Sequence, residues 1–520
     1  MQKLISKEPV VKLVKAFESP FKNVIATART CYSSKGIIED SHIDLTQEPI
    51  SRDLQIAKSI YEAGHHTTFQ HAHFQFTLEN VSRQFVWSFL HSHPFYNSEQ
   101  VSQRYVEVKP DNFTIPPLTD KSLEIYKSVV NEQINAYKKI IEILLPVVSK
   151  EYYKIFPGRK LNNKYTKDIK RKAQEIARYI LPIAIHTYLY HTVNGITLLR
   201  YYRTCEQYDV PFEQKLIVSK MVDELLKVEP NYKIVLDKII PLEETPEYSA
   251  IKQSSVNDPE MRKKFLSEFD KSLDGKVSKL VDYKLNNEKI LAQSIREVLG
   301  LSESEMSDQI AIESLLNPTH NKFLGETLVI TMHSKLMRAM YHPAYTFRKK
   351  LSHTADSQDQ RHRMTPASRP VLQTHLTETP DYIIPKLIQL SNEAYKLYEE
   401  TMQKIWDGIN ALRKMQVRDE YIIYLLPNAF PIRFTESSDL LNLHHKHIMR
   451  LCYNAQEEIW NASLEEAQQI AEINPTIGKY LLPPCSLRAE SGTYPICPEG
   501  ERFCGIKVWK LSKSEYSRII

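Results

Sequence analysis

Hydrophobic positions recur every three or four residues in two long stretches of the chain, and this spacing predicts two long amphipathic helices. The first covers residues 122–152, SLEIYKSVVNEQINAYKKIIEILLPVVSKEY, and the second covers residues 393–416, EAYKLYEETMQKIWDGINALRKMQ. Apolar side chains at i, i+3, i+4 and i+7 share one face of a helix, so each helix should pack against a core.

Two shorter stretches change from a β-type pattern to a helical one. They are residues 10–29, VVKLVKAFESPFKNVIATAR, and residues 277–296, VSKLVDYKLNNEKILAQSIR. Each predicts a strand followed by a helix that ends near an arginine. The predicted fold class is therefore α+β. We expect two similar lobes in one chain, dominated by helices, with a small, mostly antiparallel sheet in each.

The order of these patterns indicates an internal duplication. Leu181-Pro182 in the first half matches Leu426-Pro427 in the second, and Glu213 then matches Glu458 without a gap. Matching strand–helix openings, spacing and order are the signature of a repeated module. We predict an N-terminal lobe over residues 1–240 and a C-terminal lobe with a cysteine-containing tail over residues 271–520. A polar, lysine-rich linker that is partly helical should join them over residues 241–270.

Composition narrows the function classes. The chain has 520 residues, 42% of them hydrophobic, and its 68 basic and 63 acidic residues leave a net charge of +5. This balance lacks the concentrated positive charge of a dedicated nucleic-acid binder, so no nucleic-acid partner is expected. No apolar run reaches membrane-spanning length, no signal peptide is recognisable, and six cysteines fit a reducing compartment, so we expect a cytoplasmic protein without a membrane partner. Glycine-rich phosphate loops are missing, which leaves arginines, hydroxyls and helix N-termini to bind phosphate.

Several motifs together resemble those of flavin-dependent thymidylate synthases. The first half contains GHHTTFQH at 64–71, the pair Arg83-Gln84, and EQVSQRY at 99–105. An RHR triplet is missing there, because FLHSHP occupies 89–94. The second half supplies RHR within SQDQRHRM at 357–364, but shortens the rest of the signature to TPASRP. It also contains RLCYNAQEE, which begins at Arg450 and is similar to an arginine motif of the family.

The resemblance implies a composite site, because each half has lost family residues that the other half retains. The substrate-binding residues implied by the motifs are Gln84, Glu99, Ser102, Arg104 and Arg178. The implied flavin-binding residues are Arg361, His362, Arg363, His65 and Thr67. Arg450 is the implied catalytic residue, placed against the uracil carbonyls, where its charge would favour hydride arrival at the ring. Forked, charge-assisted hydrogen bonds suit arginines to phosphate groups.

The activity implied by the resemblance is reductive methylation of dUMP to dTMP. FAD reduced by NADPH would carry the electrons, methylenetetrahydrofolate would supply the carbon, and no cysteine nucleophile would be used. A homodimer of doubled chains would imitate the family's homotetramer. Two alternatives stay open, because many signature residues are absent. One is a flavin-dependent enzyme acting on another nucleotide or a pterin, and the other is a non-catalytic, nucleotide-sensing or structural homologue.

The C-terminal tail contains Cys485, Cys497 and Cys504 within the run PPCSLRAESGTYPICPEGERFCG. Their spacing is not that of paired CxxC zinc ligands, so no metal site is predicted and reduced structural thiols are expected. A metal or redox role, with an imidazole from HHKH at 444–447, stays as the alternative. The tail lies outside the family pattern.

Overall fold

The computed structural model describes residues 4–46, 51–106, 108, 111–207, 209–254 and 258–520. Its internal contacts divide the chain into two compact units, and each unit draws segments from both sequence halves. Unit 1 comprises Met1–Ile134, Leu181–Asn257 and Ile405–Leu426. Unit 2 comprises Asn135–Ile180, Asp258–Lys404 and Pro427–Ile520.

Each unit contains a four-stranded antiparallel sheet, and the two sheets have the same strand order. The strands are β1 Val10–Ala16, β2 His73–Ser82, β3 Asn97–Gln100, β4 His186–Asn194, β5 Ser278–Tyr283, β6 Ala344–Ser352, β7 Ala367–Ser368 and β8 Pro431–Asp439. The order is β1-β2-β4-β3 in unit 1 and β5-β6-β8-β7 in unit 2, with every pairing antiparallel. Identical topology in the two units confirms the predicted doubled α+β fold.

Helices make up most of the remaining ordered chain. They are α1 Pro20–Thr30, α2 Arg52–Glu62, α3 Arg83–His91, α4 Asp120–Ile155, α5 Thr166–Ala177, α6 Gly195–Arg203, α7 Pro211–Val228, α8 Pro246–Gln253, α9 Pro259–Ser272, α10 Asn287–Leu299, α11 Asp308–Leu316, α12 His353–Asp359, α13 Leu372–His375, α14 Lys386–Gln389, α15 Asn392–Lys414, α16 Asp419–Ile422, α17 Leu440–Arg450, α18 Glu457–Ile473, α19 Pro475–Gly478 and α20 Pro484–Glu490. The two amphipathic helices predicted from periodicity are α4 and α15. Within the described residues, no helix is long and apolar enough to cross a bilayer.

A buried glutamate organises unit 1. Glu213 of α7 accepts hydrogen bonds from the backbone N–H of Ser82, at 2.8 Å, and from its hydroxyl, at 2.6 Å. Ser82 also caps the N-terminus of α3, so the glutamate fixes where strand β2 turns into helix. The third donor is the hydroxyl of Tyr424, at 2.6 Å, which belongs to the second sequence half. Burial raises the pKa of Glu213 despite these donors.

Unit 2 repeats this arrangement with Glu458 of α18. Its carboxylate accepts from the backbone N–H of Ser352, from the Ser352 hydroxyl at 2.6 Å and from the Tyr179 hydroxyl at 2.7 Å. Tyr179 belongs to the first sequence half, so each unit receives its tyrosine from the other half. The structural equivalence of Glu213 and Glu458 agrees with the gapless match seen in the sequence.

The compact units therefore divide the chain differently from the two sequence repeats. Residues 135–180 lie in unit 2, and residues 405–426 lie in unit 1. Each of these segments ends just before or at the leucine of an LP dipeptide, so the exchange is reciprocal. The lobe boundaries at residues 240 and 271 describe the repeat in the sequence and stay a prediction.

Candidate active site

The N-terminus of α3 carries an arginine that ties two strands of unit 1 together. The Arg83 guanidinium donates to Gln100 Oε1 at 3.2 Å and to the Val101 carbonyl at 2.6 Å. Both acceptors lie at the end of β3, where the chain leaves the sheet. The arginine is thereby held at the mouth of the turn that follows β3.

A cavity of about 330 Å³ opens beside this turn. It is lined by Glu79, Asn80, Arg83, Val101, Ser102, Gln103, Val106, Val108, Asn112, Ile185, His186, Thr187 and Tyr188. Burial, and secondarily the charge of Lys7, lowers the pKa of His186 to about 4, so this wall histidine is neutral. Among the lining residues, Arg83 carries a positive charge and Glu79 a negative one. The Arg83 guanidinium and the Ser102 hydroxyl are the lining groups suited to an anion. The volume falls within the ~300–1,000 Å³ range of small-molecule sites.

Of the predicted substrate residues in unit 1, Ser102 lines the cavity. Its Oγ accepts the backbone N–H of Arg104 at 3.3 Å, which closes a tight turn. The Arg104 guanidinium lies 5.4 Å from the ring centroid of Tyr105 and is not part of the wall. Glu99 is exposed on β3, where it pairs with Tyr190.

Gln84 is fully buried, and its backbone N–H donates to the Ile183 carbonyl at 3.1 Å. Its neighbour Arg83 lines the cavity instead. Sequence reasoning noted the Arg83-Gln84 pair but selected only the glutamine. The N-terminal position of Arg83 on a helix that follows a strand was the signal that could have identified it, since helix N-termini attract anions.

The two predicted flavin-binding residues of unit 1 lie at a 3₁₀ turn, His66–Gln70, far along the chain from the cavity turn. His65 caps this turn and Thr67 lies within it, and both side chains are exposed. Neither lines the cavity. Their assignment to flavin stays a prediction.

In unit 2 the structure brings two predicted residues into direct contact. Arg450, the last residue of α17, donates from Nε to His362 Nε2 at 2.8 Å and from Nη2 to the Gln358 carbonyl at 2.6 Å. His362 follows α12, so the bonds join the end of one helix to the turn after another. Residues 88 positions apart thus form one small constellation.

The protonation state of His362 follows from this geometry. Its Nε2 accepts a hydrogen bond from a guanidinium, which requires an unprotonated nitrogen. Burial first, and the Arg450 charge second, hold the pKa of His362 well below its usual value. The ring is therefore neutral, with its proton on Nδ1, and it orients Arg450 without adding charge.

The rest of the RHR triplet flanks this contact. The backbone N–H of His362 donates to the Asp359 carbonyl at 2.9 Å, and the Thr365 hydroxyl donates to the His362 carbonyl at 2.7 Å. The resulting tight turn leaves Arg361 exposed and Arg363 half-buried. Two cationic side chains beside a fixed imidazole can bind an anionic group such as a diphosphate.

Arg369, the arginine that follows the triplet, forms a structural ion pair. Arg369 donates to both oxygens of Asp356 at 2.9–3.1 Å, and its guanidinium lies 4.8 Å from the ring centroid of Phe434. The buried bidentate pair fixes β7 against α12. In the shortened TPASRP segment this arginine therefore stabilises the fold.

Arg178 is 4% exposed, at a 3₁₀ turn, Arg178–Ile180. Its carbonyl accepts the Asn428 side-chain amide at 2.9 Å. Arg178 belongs to unit 2, with Arg450 and the RHR triplet, whereas Gln84, Glu99, Ser102 and Arg104 belong to unit 1. The predicted substrate residues are thus distributed over both units.

Comparison with known proteins identifies the module that is repeated. The sequence profile of the thymidylate synthase complementing protein family, Thy1, matches residues 12–231 and matches again over residues 279–476. The chain belongs to this family. The resemblance stated from the motifs is therefore confirmed, and so is its prediction of an enzyme family, the thymidylate synthases. Both sequence halves are Thy1 modules.

Individual relatives agree with the family profile. The flavin-dependent thymidylate synthase of Clostridium tetani is 31% identical over 224 residues, which are 42% of this chain and 84% of that protein. The enzyme of the same name from Geobacter sulfurreducens is 25% identical over 204 residues, 38% of this chain and 74% of that protein. A crystal structure of the UMP/dUMP methylase PolB from Streptomyces cacaoi, bound with 5-Br dUMP, aligns with a TM-score of 0.30 and 19% identity, covering 44% of this chain and 95% of that one. The Thy1 assignment rests on the sequence matches.

Proposed function

We propose that this Thy1 protein is a flavin-dependent thymidylate synthase that methylates dUMP to dTMP. The observation that carries the proposal is the hydrogen bond between Arg450 and His362, which unites two signature positions of the second module. When bound, FAD reduced by NADPH would supply the electrons and methylenetetrahydrofolate would supply the carbon. The chain's own residues would bind, orient and polarise the nucleotide.

Arg450 is the proposed catalytic residue. Its planar guanidinium is fixed at two points, by His362 and by the Gln358 carbonyl. A cation held in one orientation stabilises developing negative charge without reorganising during the reaction. Set against a uracil carbonyl, it would draw electron density from the ring. The neutral state of His362 keeps the positive charge on the arginine.

The residues of unit 2 fit the flavin's diphosphate. Arg361 is exposed and Arg363 is half-buried on the turn that His362 fixes, so two guanidinium groups lie on a rigid element, and their forked geometry suits phosphate oxygens. His65 and Thr67, both exposed, are proposed to add polar contacts to the flavin. For the nucleotide phosphate we propose Ser102 and Arg83 at the unit 1 cavity. Gln84, Glu99, Arg104 and Arg178, which the family motifs imply, are each proposed as substrate-binding residues.

One observation favours a second candidate. The signature after RHR is shortened, and its remaining Arg369 is locked in a buried pair with Asp356 instead of being presented to a ligand. A flavin enzyme with a different nucleotide or a pterin as substrate would show this loss. A homologue without activity would bind nucleotide but transfer no carbon.

The deciding experiment is a spectrum of the purified full chain, titrated with FAD and then dUMP, followed by an assay of dTMP formation with methylenetetrahydrofolate and NADPH. Flavin absorbance that shifts on adding dUMP, together with dTMP, is the expected result. Bound flavin without dTMP points to the second candidate, and a chain that takes up no FAD overturns the proposal. Growth of a thymidine-auxotrophic host is the matching test in cells.

The role of Arg450 has its own variant and control. Arg450→Lys keeps the charge but loses the fork, and should lower the rate of dTMP formation by about 10²–10³-fold. Arg171→Lys alters an exposed arginine paired with Asp168 at 3.5 Å and should leave the rate unchanged. Equal rates in the two variants would remove Arg450 from the catalytic role. We also propose that the protein is cytoplasmic and forms a homodimer. Light scattering of the purified chain measures its mass and so tests the dimer.

A further inference from the structure

Four of the chain's six cysteines line one small cavity in unit 2. They are Cys452, Cys485, Cys497 and Cys504, and the cavity they share has a volume of about 10 Å³. Cys452 follows α17, Cys485 lies in α20, and the other two lie in the tail. The wall is otherwise mostly apolar, with Pro483, Pro484, Phe503, Ile506 and Val508 among its residues.

The four thiols are unpaired, since none of the described cysteines forms a disulfide. Burial, with smaller contributions from the neighbouring thiols, raises the pKa of Cys452 to about 12 and that of Cys485 to about 11. Thiols crowded into an apolar pocket stay protonated unless a cation is present to stabilise the thiolates. Protonated thiols are weak nucleophiles, so these cysteines are not expected to react individually. Four neighbouring sulfur atoms are, however, suitable ligands for a soft metal ion.

One of the four thiols has a hydrogen-bond partner on the backbone. Cys504 Sγ donates to the Ile506 carbonyl at 3.6 Å, which holds this side chain on the turn that follows it.

Cationic groups lie close enough to compensate a negatively charged centre. The charges of Arg518 and Arg159 both lower the pKa of Cys504. Arg518 is held by the Ala455 carbonyl at 2.5 Å. A cluster of four thiolates around a divalent cation carries two negative charges, which these arginines can offset.

The loops that carry the cysteines are fixed to each other. The Asn454 side-chain amide donates to the Arg502 carbonyl at 2.7 Å, which joins the Cys452 turn to the tail. Arg488 of α20 donates to the carbonyls of Pro495 and Gly325 at 2.8 and 3.0 Å. The backbone segments that carry the four cysteines are therefore held together by hydrogen bonds that involve no metal ion.

We propose that Cys452, Cys485, Cys497 and Cys504 bind one Zn²⁺ tetrahedrally and so fasten the C-terminal tail to the turn between α17 and α18. A set of four cysteine thiolates is a standard closed zinc site. Here the four thiol protons would leave as Zn²⁺ binds. The Thy1 match ends at residue 476, so three of the ligands belong to a segment added beyond the module. The site is structural, because all four positions are taken by protein.

Zinc must complete this arrangement itself. Among the described residues, no group of three or more His, Cys, Asp or Glu side chains stands in coordinating position. A cysteine Sγ moves by rotation about χ1, so zinc binding requires the four sulfurs to turn toward the cavity that they line. The cavity is about one water-sized probe in volume, which matches a single ion and excludes a larger ligand.

The test is the zinc content of the full-length chain, purified by gel filtration in the presence of a weak chelator and measured by mass spectrometry. We expect about one zinc ion per chain. The variants Cys497→Ser and Cys504→Ser should bind zinc at least tenfold more weakly, whereas Cys31→Ser, at an exposed cysteine outside the cluster, should keep the wild-type content.

Cobalt titration of the wild-type chain after zinc removal keeps the test independent of variants that fail to fold. The expected result is sulfur-to-cobalt charge-transfer absorption with the strong visible bands of tetrahedral cobalt. Two outcomes overturn the proposal. One is a folded wild-type chain that retains no zinc and gives no such bands. The other is an intact mass showing that the four cysteines are oxidised to two disulfides.

Discussion

The interiors of the two units are built on the same plan but filled with opposite chemistry. In unit 1, Phe89, His191 and Tyr201 form an aromatic cluster, with ring centroids 5.0 Å apart for Phe89 and His191 and 4.3 Å apart for Phe89 and Tyr201. In unit 2 the equivalent region is a buried ion cluster of lysines and carboxylates, none more than 1% exposed. A repeated module has thus kept its backbone while its core changed character.

Position by position, the two clusters occupy the same places. The equivalent pairs are Leu78 and Lys349, Phe89 and Asp359, His191 and Glu436, Tyr201 and Lys446, and Met221 and Glu466. The middle pair is fixed by sheet register, because His191 lies opposite Phe76 and Glu436 lies opposite Phe347. Sheet register also fixes the first pair, because Leu78 lies opposite Leu189 and Lys349 lies opposite Phe434, each two residues along from the middle pair. The remaining three pairs follow from equal offsets to the capping residues and the buried glutamates of each unit.

The ion cluster is held by short contacts. Lys349 Nζ lies 2.7 Å from Glu436 Oε1 and 2.6 Å from Glu466 Oε1, and Lys446 Nζ lies 3.0 Å from Asp359 Oδ2 and also contacts Glu436. Nearby charges raise the pKa of Lys349 and lower those of Asp359 and Glu466, against the effect of burial. Burial raises the pKa of Glu436 instead. Two ammonium groups facing three carboxyls balance when Glu436 keeps its proton.

The comparison teaches that one fold tolerates either solution, but at different risk. A well-packed apolar cluster loses little when one side chain is exchanged for another of similar volume. A buried ion cluster is often no more stable than its apolar replacement, yet removing a single partner leaves an uncompensated charge. Unit 2 should therefore be the more fragile of the two toward single substitutions at these positions.

The largest expected effect comes from Lys349→Met in unit 2. Losing the ammonium group leaves the charged carboxylates of Asp359 and Glu466 with Lys446 as the remaining lysine of the cluster, and should lower the free energy of unfolding by about 3–5 kcal/mol. Denaturant unfolding of the full chain measures this. The control is Leu78→Met at the equivalent position of unit 1, where a volume-conserving change should cost less than about 1.5 kcal/mol. Equal losses of stability in the two variants would contradict the expectation that unit 2 is the more sensitive unit at these positions.

Removing the tyrosine hydroxyl from each buried glutamate should have a smaller effect. Tyr424→Phe deletes one hydrogen bond, to Glu213 at 2.6 Å, and should cost about 1.5–3 kcal/mol of unfolding free energy. Tyr179→Phe deletes the bond to Glu458 at 2.7 Å and also the bond that its hydroxyl accepts from the Gln456 amide, so it should cost about 1 kcal/mol more. Chemical denaturation of both variants measures the two costs. A cost for Tyr179→Phe that does not exceed that of Tyr424→Phe would show that the Gln456 contact adds no stability.

The aromatic cluster should make acid stability depend on His191. Burial, and secondarily His93, lowers its pKa to about 3, whereas an unfolded histidine titrates near ~6.5. Below pH ~6.5 the unfolded chain binds a proton that folded His191 refuses, so this contribution is complete above that pH and falls by about 1.4 kcal/mol per pH unit on acidification.

The variant His191→Phe tests this, because it should flatten the acid limb of the stability profile by that slope. His71→Phe, at an exposed histidine, is the matched control and should leave the profile unchanged. Stability measured from pH 7 to pH 5 is sufficient to distinguish them. An unchanged slope in His191→Phe would mean that the ring takes up its proton without unfolding.

The smallest effect is expected for Glu436→Gln in unit 2. If Glu436 is the carboxyl that keeps a proton, the amide imitates it, and the cost should stay below about 1 kcal/mol. Asp359→Asn, which removes a charged partner of both lysines, should cost several-fold more. Thermal unfolding of the two variants ranks them. The reverse ranking would assign the proton to Asp359.

Part of the candidate site could be predicted, since its motifs are short and their spacing survives in the chain. The turn that holds Arg361, His362 and Arg363 was visible as a triplet, and Arg450 was identified from its own motif. The contact between Arg450 and His362 agrees with that grouping. Arg83 was missed because motif comparison favoured its neighbour. Cys452 was not joined to the tail cysteines, because nothing in local spacing connects residues so far apart.

The α+β class, the doubling and the long helices α4 and α15 could all be predicted from the chain, because periodicity and repeat spacing are local properties. Which unit each segment joins could be read only from the folded molecule. Residues 135–180 lie in unit 2 and residues 405–426 lie in unit 1, although each follows the opposite module in sequence. An amphipathic pattern predicts that one face of a helix is buried. It does not predict which of two related modules the helix packs against, because their surfaces are similar. The choice between them depends on long-range contacts, such as the tyrosine hydroxyls that reach Glu213 and Glu458.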